Sequence, residues 1–252
     1  MPKILALSGS IRRDSWNRKL IQIAVDATRA AGGDVTLIDL ADYPLPLYDS
    51  DLVDRDGLPE NALRLKALFK DHDALLIASP EYNSSLPPLL KNTIDWISQE
   101  WQGESGLVPY QNKVAAIMAA SPGSLGGMRM LPLLRQILNA LGVLVLPGQF
   151  PLAYADTAFD AETGALKSPA LMHSLVLELV NTTAALKRAL KKHRSPGAFF
   201  VRNGSSFKLT CGDTPSPCPR FPRPTAARQV RESGFLRLRL PPQPGTWQTL
   251  LQ

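Results

Sequence analysis

The sequence predicts an α/β fold, a three-layer sandwich around a five-stranded parallel sheet in the order 2-1-3-4-5. Three observations predict it. Short apolar runs alternate with helix-patterned stretches five times along residues 1–194. The runs, such as Ile4-Leu5-Ala6-Leu7 and Ala74-Leu75-Leu76-Ile77-Ala78, lack polar alternation, so both of their faces are buried, as in a parallel sheet. Parallel crossovers are almost always right-handed, which winds the helices onto both sides of the sheet.

The elements follow in order. Residues 3–8 form a buried strand ending at Ser8-Gly9. Residues 17–31 carry Leu20, Ala24, Ala27 and Ala31 at helical spacing, and Gly32-Gly33 ends that helix. Val35 to Leu40 is the second strand, and the Pro-, Asp- and Tyr-rich residues 41–58 are a long loop. Pro59 opens a helix over 59–71. Asp73 to Ser79 is the third strand, followed by a loop at 80–86 and a helix from Pro87 to Trp101. Lys113 to Ala120 is the fourth strand, and a Gly/Ser loop leads into a helix ending near Leu141. Val143 to Leu146 is the fifth strand; a connection at 147–168 precedes a last helix at 169–193. This is the flavodoxin-like strand order, whose first and third strands are neighbours at the point where the winding reverses. Ligands sit there, on loops at the carboxyl ends of the strands. The topology therefore directs attention to residues 8–17, 79–86 and 120–128.

The net charge of +6 is not spread over the chain. Residues 1–194 hold 20 Lys+Arg and 20 Asp+Glu; residues 195–252 hold the remaining 8 and 2. The body, residues 1–194, thus has no bulk attraction for nucleic acid, and no nucleic-acid partner is expected. Residues 195–252 contain nine prolines and break the strand–helix pattern, so a disordered or non-native tail is expected there. Both cysteines, Cys211 and Cys218, lie in that tail, and His72, His173 and His193 are scattered, so no metal site is expected. No apolar run is long enough for a membrane span, and the N-terminal run is too short for a signal peptide; a cytoplasmic protein without a membrane partner is expected.

The first loop, Ser8-Gly9-Ser10-Ile11-Arg12-Arg13-Asp14-Ser15-Trp16-Asn17, joins a strand to a helix N-terminus, where free N–H groups and the dipole suit an anion. Ser10, Ser15 and Asn17 add short polar groups and Arg12 a permanent cation, a set suited to a terminal phosphomonoester. A plain capped helix, with Ser15 as N-cap, would carry the same residues. The second loop, Ser79-Pro80-Glu81-Tyr82-Asn83-Ser84-Ser85, is stiffened by proline. Tyr82 can pack on a planar ring and Asn83 can bond its edge; equally, this is a tight turn with a surface tyrosine, and Glu81 either a solvated charge or a buried partner for a base. The third loop, Ser121-Pro122-Gly123-Ser124-Leu125-Gly126-Gly127-Met128-Arg129, lets backbone approach a ligand closely. Arg129 opposes the dipole of the helix it begins, so it is expected either to face a ligand or to be a plain surface arginine.

Ser8-Gly9-Ser10-x-Arg12-x-x-Ser15-x-Asn17-Arg18-x-Leu20 and Pro80-Glu81-Tyr82-Asn83-x-Ser85-x-Pro87-x-x-Leu90-Lys91-Asn92-x-x-Asp95-Trp96 resemble the NAD(P)H-dependent FMN reductase family, in particular its quinone and chromate reductases. The resemblance spans residues 1–192. It implies a flavodoxin-like fold, non-covalent FMN, NAD(P)H as co-substrate, and homodimers or homotetramers. The implied acceptors are small molecules: quinones, nitro and azo compounds, or oxidised metal ions such as chromate. It further implies that Ser10, Arg12, Ser15, Trp16 and Asn17 surround the FMN phosphate. Pro80, Glu81, Tyr82 and Asn83 would line the isoalloxazine ring, and Ser121 and Gly123 would approach it.

Two other functional classes share these features. A flavin-binding electron carrier or redox sensor without a nicotinamide site would use the same loops, although carriers that dock proteins are often acidic and this body is neutral. A dinucleotide-binding dehydrogenase would place an acid near Asp39, but the first loop lacks the G-x-G-x-x-G glycines, so Asp39 is expected to end the strand. Trp96 and Trp101 are expected in the core or at a subunit contact.

Overall fold

The computed structural model describes residues 1–193, 198–203 and 206–211. Its elements are β1 Lys3–Ser8, α1 Trp16–Ala30, β2 Asp34–Ile38, α2 Ser50–Asp56, α3 Glu60–Asp71, β3 Ala74–Ala78, α4 Pro88–Ile97, β4 Val114–Ala120, α5 Met130–Ala140, β5 Leu144–Val145, β6 Phe150–Leu152, α6 Ala155–Ala158 and α7 Ala170–His193. The main sheet is parallel throughout and runs β2-β1-β3-β4-β5, with β6 also on β4.

Side-chain alternation in the central strands builds a core on each face. From β3, Leu76 and Ala78 pack with Leu20 and Ala24 of α1 and with Met172 and Leu179 of α7. Leu75 and Ile77 pack on the other face with Leu65 and Phe69 of α3, Ile94 of α4 and Leu134 of α5. A period of two inside an uninterrupted apolar run is what a strand covered by helices on both sides requires.

The fifth position of the sheet differs from the single expected strand. β5 pairs with Val114 and Ala115, and β6 pairs with Met118 to Ala120. Pro147-Gly148 falls between them; proline cannot donate to the ladder, so the strand breaks and resumes. The stretch 147–168, expected as a connection, thus contains both β6 and α6. The second strand ends at Ile38 rather than Leu40, because the Asp39 carboxylate accepts the Ala41 N–H at 3.0 Å and starts a 3-10 turn over Leu40–Asp42.

The segment 41–58 is not all loop. Asp49 caps α2 through the Asp51 N–H at 2.9 Å, and no residue of α2 is buried, so hydrophobic periodicity could not announce it. The segment is held down by Trp96, whose Nε1 donates to Pro46 O at 2.8 Å and whose ring meets Tyr48 edge-on. Trp96 is fully buried within the chain and is a core residue. The helix expected to reach Trp101 stops at Ile97. Its last carbonyls turn to the Lys66 ammonium, which binds Ile97 O at 3.2 Å and Gln99 O at 2.5 Å.

Among the described residues no helix is long and apolar enough to cross a membrane. Within the tail, strands β7 Ala198–Asn203 and β8 Ser206–Cys211 pair with each other in a separate two-stranded sheet. Phe199-Phe200-Val201 and Phe207-Lys208-Leu209 are β-prone. The expectation of a disordered or non-native tail covers residues 195–252, of which all but 198–203 and 206–211 lie outside the described residues.

Candidate functional site

Strands β1, β3 and β4 are adjacent, and their carboxyl ends release the three loops side by side. Ser8 is level with Ala78, and Ala78 with Met118. The Gly9 N–H donates to Ala78 O at 2.9 Å and the Ser79 N–H to Met118 O at 3.0 Å, so the sheet ladder continues one step into each loop. A Cβ on Gly9 would collide with the Ser79 hydroxyl, and glycine is therefore required for this approach. Gly9 and Ser79 were not singled out by sequence reasoning, since their contact joins residues 70 apart.

In the first loop Ser10 is buried; its N–H donates to Ser8 Oγ at 3.2 Å and its own Oγ accepts the Arg12 N–H at 3.4 Å. The loop thereby folds back on its own hydroxyls. Ser15 occupies the N-cap of α1, yet its hydroxyl makes no capping bond. Among the described residues the N–H groups of Trp16 and Asn17 have no acceptor. Arg12 is exposed and donates to Asp14 O at 2.6 Å, which leaves the rest of its guanidinium open.

This donor set answers whether a phosphate fits. A helix N-terminus with two unused N–H groups, an uncommitted hydroxyl on its cap and an adjacent guanidinium are what a dianion recruits. Two expected ligands contribute differently from what their side chains suggest. The Asn17 amide is buried and faces inward, donating to Ala120 O and accepting the Ala120 N–H, both at 2.9 Å. It ties the start of α1 to the end of β4 and leaves only its backbone N–H for a ligand. The Trp16 ring is turned aside, stacked on Phe159 at 5.6 Å with Lys19 Nζ 4.7 Å from its centroid.

The second loop is a tight hairpin. Tyr82 and Ser85 exchange N–H···O bonds of 3.0 Å, and the two residues between them, Asn83 and Ser84, have φ of 49° and 65°. Both central residues are left-handed, as in a type I′ turn, and Ser84 lacks the tolerance that asparagine has there. Pro80 is buried beneath the turn, while Tyr82 is 48% exposed.

Glu81 turns away from solvent. Its carboxylate accepts Arg129 N–H at 2.9 Å, Arg129 Nε at 2.7 Å and Met130 N–H at 3.2 Å, and pairs with Arg129 Nη2 at 2.5 Å. Arg129, expected to face a ligand, is instead held by Glu81, and the acid compensates the unfavourable placement of a cation at the start of α5. The third loop is anchored as well: Ser121 N–H donates to Leu152 O, and Ser121 Oγ accepts Gly123 N–H at 3.2 Å. Asp39 pairs with Arg18 at 2.6 Å and caps the following turn, so it both ends the strand and secures the first helix.

The model of one family, NADPH-dependent FMN reductase, matches residues 2–157, which contain all three loops. An NAD(P)H-dependent FMN reductase of Pseudomonas aeruginosa is 37% identical over 161 residues, covering 64% of this chain and 82% of that protein. A quinone reductase of Escherichia coli K12 is 32% identical over 163 residues, covering 64% and 83%. Among solved structures, the flavoenzyme NAD(P)H:(acceptor) oxidoreductase FerB of Paracoccus denitrificans superposes with a TM-score of 0.57 at 28% identity, covering 77% of this chain and 99% of that one. The chain belongs to the NADPH-dependent FMN reductase family, and is an oxidoreductase that uses FMN with NAD(P)H as co-substrate.

Proposed function

We propose that this enzyme passes electrons from NAD(P)H through FMN to quinones, with nitro and azo compounds and oxidised metal ions such as chromate as further acceptors. FMN, when bound, supplies the hydride chemistry; the protein supplies binding, orientation and electrostatics. The observation that carries this reading is the unused donor set at the start of α1, beside the junction of β1 and β3.

The Ser15 hydroxyl, the N–H groups of Trp16 and Asn17, and the Arg12 guanidinium hold the phosphate, with the Ser10 hydroxyl shaping the loop around it. Pro80 and the backbone of Glu81 form one wall for the ring, and Tyr82 and Asn83 stand at its edge. Ser121 and Gly123 border the other side. The Glu81 carboxylate contributes by fixing the third loop through Arg129 rather than by touching the ring. Each loop also leaves a large apolar side chain in solvent: Ile11, Tyr82, and Leu125 with Met128. Such residues around one crevice suit a planar heterocycle and aromatic acceptors. No side chain is required as nucleophile, acid or base, and co-substrate and acceptor occupy the same open face in turn, which gives ping-pong kinetics. The working unit is a homodimer or homotetramer in the cytoplasm.

The test is a visible spectrum of the purified protein followed by anaerobic NADPH and then a quinone. Bleaching of the flavin band by NADPH and its return on addition of quinone are expected. A flavin that bleaches but is not reoxidised by any of these acceptors would contradict the proposed substrates.

A further inference from the structure

A cavity of about 630 Å³ lies at the amino ends of β3 and β4, across the sheet from the three loops at the carboxyl ends. Lys70 from α3, Lys113 from the residue ahead of β4, and Lys187 and Lys191 from the last turns of α7 line it, with the amides of Gln111 and Asn112. Asp73 is the one carboxylate in its lining. Lys187 is held by Asp73 at 2.6 Å and Lys70 by Glu104 at 2.6 Å. Lys113 and Lys191 have no carboxylate partner among the described residues.

Lys113 is the distinctive member. It is only 4% exposed, and its ammonium donates to His72 O, leaving two further N–H donors. Burial lowers its pKa to about 8, and the charges of Asp73 and Asp71 offset that cost only in part. Lys187 and Lys191 are four residues apart on one helix face, so both can reach one anion, and Asp73 already offsets part of their mutual repulsion. The dipoles at the C-terminal ends of α3 and α7 account for Lys70 and Lys191, but not for Lys113, which belongs to neither helix.

We propose that this cavity binds a small molecule carrying a di- or triphosphate, such as a nucleoside diphosphate, on Lys113, Lys187 and Lys191. Lys113 and Lys191, which have no carboxylate at ion-pair distance among the described residues, stand beside the paired Lys187, and lysine serves phosphate as a point charge. The volume lies within the range of small-molecule sites. Leu186 and Leu190 give the cavity an apolar wall for the remainder of the molecule. The site is separate from the flavin loops, which lie at the carboxyl ends of the same strands, and it does not depend on the identity of the electron acceptor.

Calorimetric titration of the FMN-loaded full chain with ADP, pyrophosphate and inorganic phosphate tests this. Saturable binding of ADP is expected, with pyrophosphate next and phosphate weakest. Lys191→Glu should weaken ADP binding about tenfold or more, the scale of a charged hydrogen bond. Its flavin content and NADPH–quinone turnover without ADP should stay unchanged. Lys113→Met should weaken ADP binding likewise, with retained flavin content reporting an intact fold. Absence of ADP binding would overturn the proposal. So would ADP binding that survives both substitutions, or that competes with NADPH in turnover and thus belongs to the flavin face.

Discussion

Glu81 and Arg129 lock two loops of the proposed flavin site together across 48 residues of sequence. The acid side chain is 7% exposed and the base 58% exposed. Two of the carboxylate's four contacts are backbone N–H groups of Arg129 and Met130, which persist whatever side chain stands at 129. The two partners are therefore unequal. Glu81→Ala removes the cap of α5 together with the ion pair and should cost about 2–3 kcal/mol. Arg129→Ala leaves the capping bonds in place and should cost about 1 kcal/mol or less. Urea unfolding of the two variants measures both, and equal losses would mean that the guanidinium, not the backbone, is what the acid serves.

Asn17 is a brace. Its amide satisfies both backbone groups of Ala120, and Asn17→Ala would leave that N–H and carbonyl buried without partners. A loss of about 2–4 kcal/mol in unfolding free energy is expected. A variant as stable as the parent would show that the α1–β4 junction relaxes and lets water in.

Ser84 carries a φ of 65° between Asn83 and Ser85. Glycine is at ease in that conformation, so Ser84→Gly should stabilise the folded chain by about 0.5–1 kcal/mol, read as a higher melting temperature. A lower melting temperature would mean that the Ser84 side chain makes a compensating contact.

Lys113 makes stability depend on alkaline pH. Its pKa falls from 10.5 to about 8 because burial disfavours the charged form. Between those values the unfolded chain binds more protons than the folded one, so stability rises as pH climbs through the window. After solvent screening the contribution is about 1–2 kcal/mol. Comparing unfolding of the parent and Lys113→Met from pH 7.5 to 10.5 isolates it: the rise should be smaller in the variant, and parallel curves would exclude Lys113 as the source.

Much of the fold was legible because the central strands are apolar runs and the helices keep their period against them. Leu75 and Ile77 face one core and Leu76 and Ala78 the other, as a strand covered on both sides requires. The split fifth strand and the unburied α2 were not legible, since backbone pairing and an Asp49 cap define them rather than any hydrophobic repeat. In the site, the serines and arginine of the first loop were visible as chemistry suited to a phosphate. Of the two readings of Glu81, the buried partner for a base holds, but neither that base nor the destination of the Asn17 amide was legible, because the partners lie 48 and 103 residues away and only folding brings them together.

The central claim is that the first loop grips the phosphate of FMN, and riboflavin, the same ring without that group, tests it most directly. Titration of flavin-free protein followed by quenching of flavin fluorescence gives both affinities. Several charged hydrogen bonds to the phosphate predict that FMN binds tighter than riboflavin by about 3 kcal/mol or more, and that Arg12→Ala removes about 1.5–3 kcal/mol of the difference. Equal affinities for the two flavins, or a difference untouched by Arg12→Ala, would contradict the placement of the phosphate at this loop.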